Sequence, residues 1–167
     1  MAQTGQHIVK EHLEKIVELL NQAFAEEWLA YYQYWIGARV ATGPMRVAIT
    51  AEFEEHANEE LEHARKLAER ILELGGTPVL SPEDWSRIAK CKYEAPTDSC
   101  VMKILKQNLT AERCAVSHYQ QLCELCHDVD YVTFRLSAKI LKEEVEHEQE
   151  IEDFINDIDS AMKCTTE

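Results

Sequence analysis

The chain has 167 residues, 46% of them hydrophobic, enough for one domain with one core that buries roughly 70% of its unfolded surface. A formal charge of −14, from 17 Lys and Arg against 31 Asp and Glu, argues against nucleic acid as a partner; it suits a surface that attracts cations or keeps helix faces solvated. Met1 to Gly5 show no basic start leading into an apolar run, and no stretch approaches the roughly 20 apolar residues of a membrane span. The expectation is a soluble cytoplasmic protein with no membrane partner, whose six scattered cysteines start reduced.

Glycine and proline fall at a few places that punctuate four helical patterns, with no run of alternating β-branched residues. The first pattern spans about 7–41 and carries the core stripe Leu13, Ile16, Leu20, Ala23, Glu27, Ala30 and Tyr34. Its aromatics Trp28, Tyr31, Tyr32 and Trp35 lie off that stripe and are expected at subunit contacts. Thr42-Gly43-Pro44 is a short turn, so the second pattern, about 45–74, returns antiparallel with Phe53, Ala57, Glu60, Ala64, Leu67, Ile71 and Leu74 on its stripe. Residues 75–97 are long enough to run the length of a bundle, and Ser81-Pro82-Glu83-Asp84 has the chemistry of a short helix start.

The third pattern, about 98–127, has the stripe Leu105, Leu109, Glu112, Val116, Tyr119 and Cys123; the fourth, about 131–162, has Ile140, Glu144, His147, Ile151, Phe154 and Ile158. His127 to Asp130 form the turn between them. The fold class is therefore all-α: one domain over 1–167, an antiparallel four-helix bundle with one long crossover that carries a short helix. That is the ferritin-like topology.

Each stripe is interrupted by a glutamate. An unpaired buried carboxylate costs several kcal/mol even after relaxation, and no stripe carries a basic residue other than histidine. A bound dication would compensate. The second and fourth helices each hold Glu-x-x-His, as Glu60-Leu-Glu-His63 and Glu144-Val-Glu-His147, which puts carboxylate and imidazole one turn apart on one face. The first and third helices supply Glu27 and Glu112. The motif alone is weak, because three of the seven histidines have a glutamate three places earlier among 24 glutamates. The third case, Glu124 with His127, lies off the stripe beside a turn and reads as a surface or cap pair. Spacing separates the rest: Glu27 to Glu60 is 33 residues and Glu112 to Glu144 is 32, so two hairpins repeat one geometry, as in di-iron carboxylate bundles.

Glu27-Trp-Leu-Ala-Tyr-Tyr-Gln-Tyr34, Glu60-Leu-Glu-His63 and Glu144-Val-Glu-His147 resemble bacterioferritin and its relatives over nearly the whole chain, and most of all the Dps-like thioferritins. The resemblance implies a ferroxidase in which two iron ions per subunit are held by Glu27, Glu60, His63, Glu112, Glu144 and His147. Manganese or zinc are alternatives. Glu60 and Glu144 bridge, Glu27 and Glu112 are terminal, and each metal takes one histidine. It further implies oxidation of Fe(II) by hydrogen peroxide or dioxygen, storage of Fe(III) in a shell, protection against oxidative stress, and a homo-oligomer of twelve subunits, since little chain follows the fourth helix. Haem is not expected, because Leu61 stands where bacterioferritin's haem-ligating methionine follows the second-helix glutamate.

The thioferritin mark is a cysteine pair near the site, and Cys91 and Cys114 match it. Cys114 lies two residues, about 200°, beyond Glu112, so it leaves the four-helix core and can face the crossover that holds Cys91. Packing thiols and a redox pair both fit the sequence. Cys123 and Cys126 lie inside a helix and read as packing residues, and His7, His12, His56 and His118 as surface or cap residues. A manganese-catalase or rubrerythrin-like peroxidase without mineral storage is the competing reading.

Overall fold

The computed structural model describes Val9 and residues 11–164; the expected helical start at His7 and the tails beyond lie outside them. Val9 and residues 11 and 12 form a turn, and among the described residues the first helix begins at Leu13. The described elements are α1 (Leu13–Val40), α2 (Arg46–Glu73), a 3-10 turn (Pro82–Asp84), α3 (Trp85–Ile88), α4 (Val101–Cys126) and α5 (Tyr131–Cys164).

Two antiparallel hairpins, α1 with α2 and α4 with α5, pack into a four-helix bundle. At the end of α2, Gly75 adopts φ +80° and Gly76 N–H closes onto Ile71 O at 2.9 Å; a Cβ on Gly76 would lie 2.7 Å from Val17 Cγ1, so glycine both ends the helix and lets the crossover pass close to α1. The crossover spans the bundle and finishes beside the α1–α2 turn, where Thr42 N–H bonds Ser99 O at 2.7 Å and Val101 N–H bonds Thr42 O at 2.9 Å. Asp130 caps α5 by accepting the N–H groups of Val132 and Thr133, and it pairs with the buried guanidinium of Arg70 at 2.9 Å.

The apolar core is split. One cluster holds Ile16, Leu20, Leu67, Ile71, Leu122 and Ile140; the other holds Phe53, Ile104, Leu105, Ile151 and Ile158. Between them lies the layer of stripe glutamates and histidines. Trp28 packs inside the subunit, correcting the expectation that it waits for a partner: it stacks on Trp85 of the crossover at 5.1 Å between ring centres. Tyr32 and Trp35 are exposed.

Candidate metal centre

Helix geometry brings the six expected side chains into one buried layer. α1 supplies Glu27, α2 Glu60 and His63, α4 Glu112, and α5 Glu144 and His147, each at most 2% exposed. They fall into two overlapping groups, Glu27-Glu60-His63-Glu144 and Glu60-Glu112-Glu144-His147, in each of which one donor atom per residue lies within 4.8 Å of the others. Glu60 and Glu144 belong to both groups, the placement two bridging carboxylates need.

The layer has an internal twofold. His63 turns Nδ1 inward, 3.2 Å from Glu27 and 3.1 Å from Glu144, and Nε2 outward to Glu143 at 3.1 Å. His147 turns Nδ1 toward Glu60 at 3.4 Å and Nε2 outward to Glu59 at 2.6 Å. Each imidazole is thus held by a carboxylate of the opposite hairpin, an arrangement that fixes ring orientation and raises ligand basicity. The phenols repeat the exchange: Tyr34 of α1 donates to Glu112, and Tyr119 of α4 donates to Glu27. Each tyrosine lies seven residues after the glutamate of its own helix.

The electrostatics are those of a cation site. Burial and the charges of Glu144 and Glu60 hold the Glu112 carboxyl well above its usual range, burial with Glu60 and Glu144 does the same to Glu27, and burial with Glu60 raises Glu144. Glu60 goes the other way: burial raises it, but hydrogen bonds from His147 and His63 outweigh that and hold it low. Burial alone would lower both histidines, yet bonds to Glu144, Glu27 and Glu60 push His63 far up, and Glu60 pushes His147 up to about 11. Glu60 Oε1, Glu144 Oε1 and His147 Nδ1 are buried without an aligned hydrogen-bond partner; Glu144 Oε1 lies 3.1 Å from His63 Nδ1 and Glu60 Oε1 3.4 Å from His147 Nδ1 as ionic contacts only. Hard oxygen donors with two imidazoles, several of them unsatisfied, fit a pair of iron or manganese ions.

On the α1–α4 side a cavity of about 30 Å³ separates this layer from the crossover; Glu27, Glu60, Glu112 and Glu144 form one wall, and Gln33 and Cys91 are among the rest. It has room for a water-sized molecule. Cys91 is joined to Cys114 of α4 as a disulfide with Cα atoms 5.7 Å apart.

Two histidines depart from expectation. His56 and His118 are buried, not superficial: His56 stacks on His147 at 4.0 Å and meets Glu150 at 3.0 Å, and His118 Nδ1 bonds buried Glu26. A group formed by Glu52, His56 and Glu150 therefore adjoins the centre on the α2–α5 side. His12 and His127 are exposed. Cys123 and Cys126 are buried, and burial with Asp130 pushes the Cys126 thiol up to about 12, which leaves it unreactive. Sequence reasoning also missed Glu59, Glu143, Tyr34 and Tyr119 as supports. Their signal was the repeat Glu-Glu-x-x-His in α2 and α5 and the matched Glu-Tyr spacing in α1 and α4.

The profile of the Ferritin-like domain matches residues 17–161. The chain is 37% identical over 144 residues to the "DNA protection during starvation protein" of Pyrococcus furiosus, covering 86% of this chain and 78% of that one. It is 31% identical over 135 residues to a bacterioferritin of Desulfovibrio desulfuricans, covering 80% and 70%. Among solved structures, the dodecameric, bacterioferritin-related thioferritin of Bacteroides fragilis superposes with a TM-score of 0.96 at 43% identity, over 98% of both chains. The chain belongs to the ferritin-like family, among its Dps-like, bacterioferritin-related mini-ferritins.

Proposed function

We propose that the chain is a ferroxidase that binds two Fe(II) ions as substrate and delivers Fe(III) to a mineral inside a shell of twelve subunits. The observation that carries this is the buried layer of four carboxylates and two imidazoles arranged as two overlapping donor sets. Glu60 and Glu144 hold both ions, Glu27 with His63 holds one, and Glu112 with His147 the other. Four carboxylates match the charge of two dications, so loading neutralises the layer when both imidazoles are neutral. Two Fe(II) ions each give one electron to hydrogen peroxide, which with two protons becomes two waters. The cavity beside the layer suits so small an oxidant; dioxygen is the other candidate. Zinc or manganese fits the same donors. Cys91, on the far wall, and its partner Cys114 serve as a redox pair that peroxide closes and a thiol reductant opens.

The twelve-subunit shell follows the full-length likeness to a dodecameric relative. The name of the Pyrococcus relative speaks of DNA protection; here protection comes from removing iron and peroxide together.

The test is Glu60→Ala combined with Glu144→Ala, which removes both bridging groups and also relieves buried charge. Rapid ferrous oxidation should vanish while light scattering still reports about twelve subunits per shell. Wild-type oxidation rates in the variant would refute the assignment. Iron retained per shell, set against dioxygen released from peroxide, separates this reading from a catalase or peroxidase.

A further inference from the structure

The Cys91–Cys114 bond joins two unequal partners. Cys114 is fixed by α4, whereas Cys91 lies in an irregular strand of the crossover between α3 and α4. When the bond opens, only the backbone around Cys91 can keep its sulfur within reach. That backbone is held by one buried carboxylate. Glu26, 5% exposed, uses Oε1 to accept the N–H of Lys90 at 2.6 Å and the N–H of Cys91 at 3.0 Å. Its other oxygen faces His118 Nδ1, and His118 lies four residues after Cys114 on α4, hence on the same helix face. One helical repeat along α1, Gln33 accepts the N–H of Glu94 at 2.9 Å and donates to Asn108 of α4 at 2.9 Å. The strand is therefore fastened on both sides of Cys91, each time by an α1 side chain backed by α4.

We infer that Glu26, oriented by His118, is a positioning residue that holds the Cys91 strand against α4 when the disulfide is reduced, so that the same two sulfurs re-form the bond. A glutamate at this depth loses its hydration, and three donors replace it; two are the amides of Cys91 and the residue before it. A fastened strand keeps the effective concentration of one thiol at the other high, whereas a loose one lowers it. The chemistry balances. Peroxide transfers one oxygen to a thiol, giving a sulfenic acid and one water; the second thiol displaces that oxygen as a second water, so two thiols and one peroxide give one disulfide and two waters. Glu26 neither gives nor takes electrons in this sequence.

This inference rests on the reading of Cys91 and Cys114 as a redox pair, and the experiment separates the two. Shells of wild type, Glu26→Gln and Glu26→Ala are reduced with dithiothreitol, freed of reductant and treated with hydrogen peroxide; samples are alkylated with N-ethylmaleimide over time and mapped by peptide mass spectrometry. Wild type should re-form Cys91–Cys114. Glu26→Gln should follow within about twofold, because its amide oxygen still accepts both N–H groups. Glu26→Ala should close about tenfold more slowly and accumulate alkylated or over-oxidised Cys91. Equal closure in wild type and Glu26→Ala would overturn the inference. Wild type that never re-forms the bond would overturn the redox reading and this inference with it. Should the alanine variant not assemble, hydrogen exchange of the wild-type shell decides: the amides of Lys90 and Cys91 should stay protected after reduction, and exchange at the rate of open chain would overturn the proposal.

Discussion

Filling the centre with zinc, a redox-inert dication, should expel protons. In the metal-free protein His63 and His147 carry them at neutral pH, since bonds to buried carboxylates overcome the effect of burial; His147 is held at about 11. Displacing that proton at pH 7 costs about 5 kcal/mol, at about 1.4 kcal/mol per pH unit, and the incoming ion offsets it by taking the same carboxylate oxygens. Two histidines for two ions means at least one proton released per ion, so the affinity of each ion should rise about tenfold per pH unit between 6 and 8. Protons from Glu27, Glu112 and Glu144, all raised, add to that slope. Stability carries the opposite sign without metal. Groups whose folded pKa is raised stabilise fully below their unfolded value and lose that contribution as pH climbs. The metal-free protein should therefore lose stability upward from about pH 5; His56, which burial lowers to about 3, opposes that loss only up to about pH 6.5, and the contribution of Glu60, which is lowered, is already complete. The rise in Tm on adding zinc should grow from pH 6 to pH 8. A pH-stat titration counts the protons directly. Zinc binding that released none, or an affinity independent of pH, would refute the electrostatic account of this site.

Removing one outward support should damage one ion more than the other: Glu143→Ala or Glu59→Ala should lower zinc affinity at the ion of His63 or His147 by about tenfold or more, read as one weakened step in a calorimetric titration. Asp130→Ala leaves the Arg70 guanidinium buried without its main partner and strips the cap of α5. It should destabilise by about 4 kcal/mol, measured as a fall in the denaturation midpoint. With a net charge of −14, the metal-free protein should not retard duplex DNA at physiological salt; a salt-sensitive complex in a gel-shift assay would contradict this.

The stripes written from the sequence led to the metal layer because a glutamate amid leucine and alanine is conspicuous wherever a helix has one buried face. That same premise hid Glu26, His118 and Trp28. α1 and α4 are buried on two faces, one toward the bundle core and one beneath the crossover, so a residue off the stripe of either helix can still be buried. Glu26 and His118 stand 92 positions apart, and no helical period links them. Arg70 and Asp130 escaped for a similar reason, since a buried ion pair needs both partners to be recognised and each alone resembles a surface charge. The helix ends were legible wherever glycine and proline mark them, as at Gly43-Pro44 and Gly75-Gly76. The start of α1 has no such mark: His12 stands at its cap position without a capping side-chain bond.

The exchanged contacts of the two hairpins bear on how electrons leave the site. Each of the two positions is offered the same kinds of donor in the same order: one terminal carboxylate steadied by a phenol, one imidazole steadied by an outward carboxylate, and a share in two bridges. Ions placed there would be two one-electron donors side by side, the second electron leaving against the added charge of the first oxidised ion. A site of that kind matches an acceptor that takes two electrons at once and leaves no half-reduced radical behind. What distinguishes the two positions is their surroundings: the crossover packs over Glu26 and His118 at one level and over Gln33 and Asn108 at another, and His56 stacks on His147. Those surroundings are where a difference in redox behaviour between the two ions should originate.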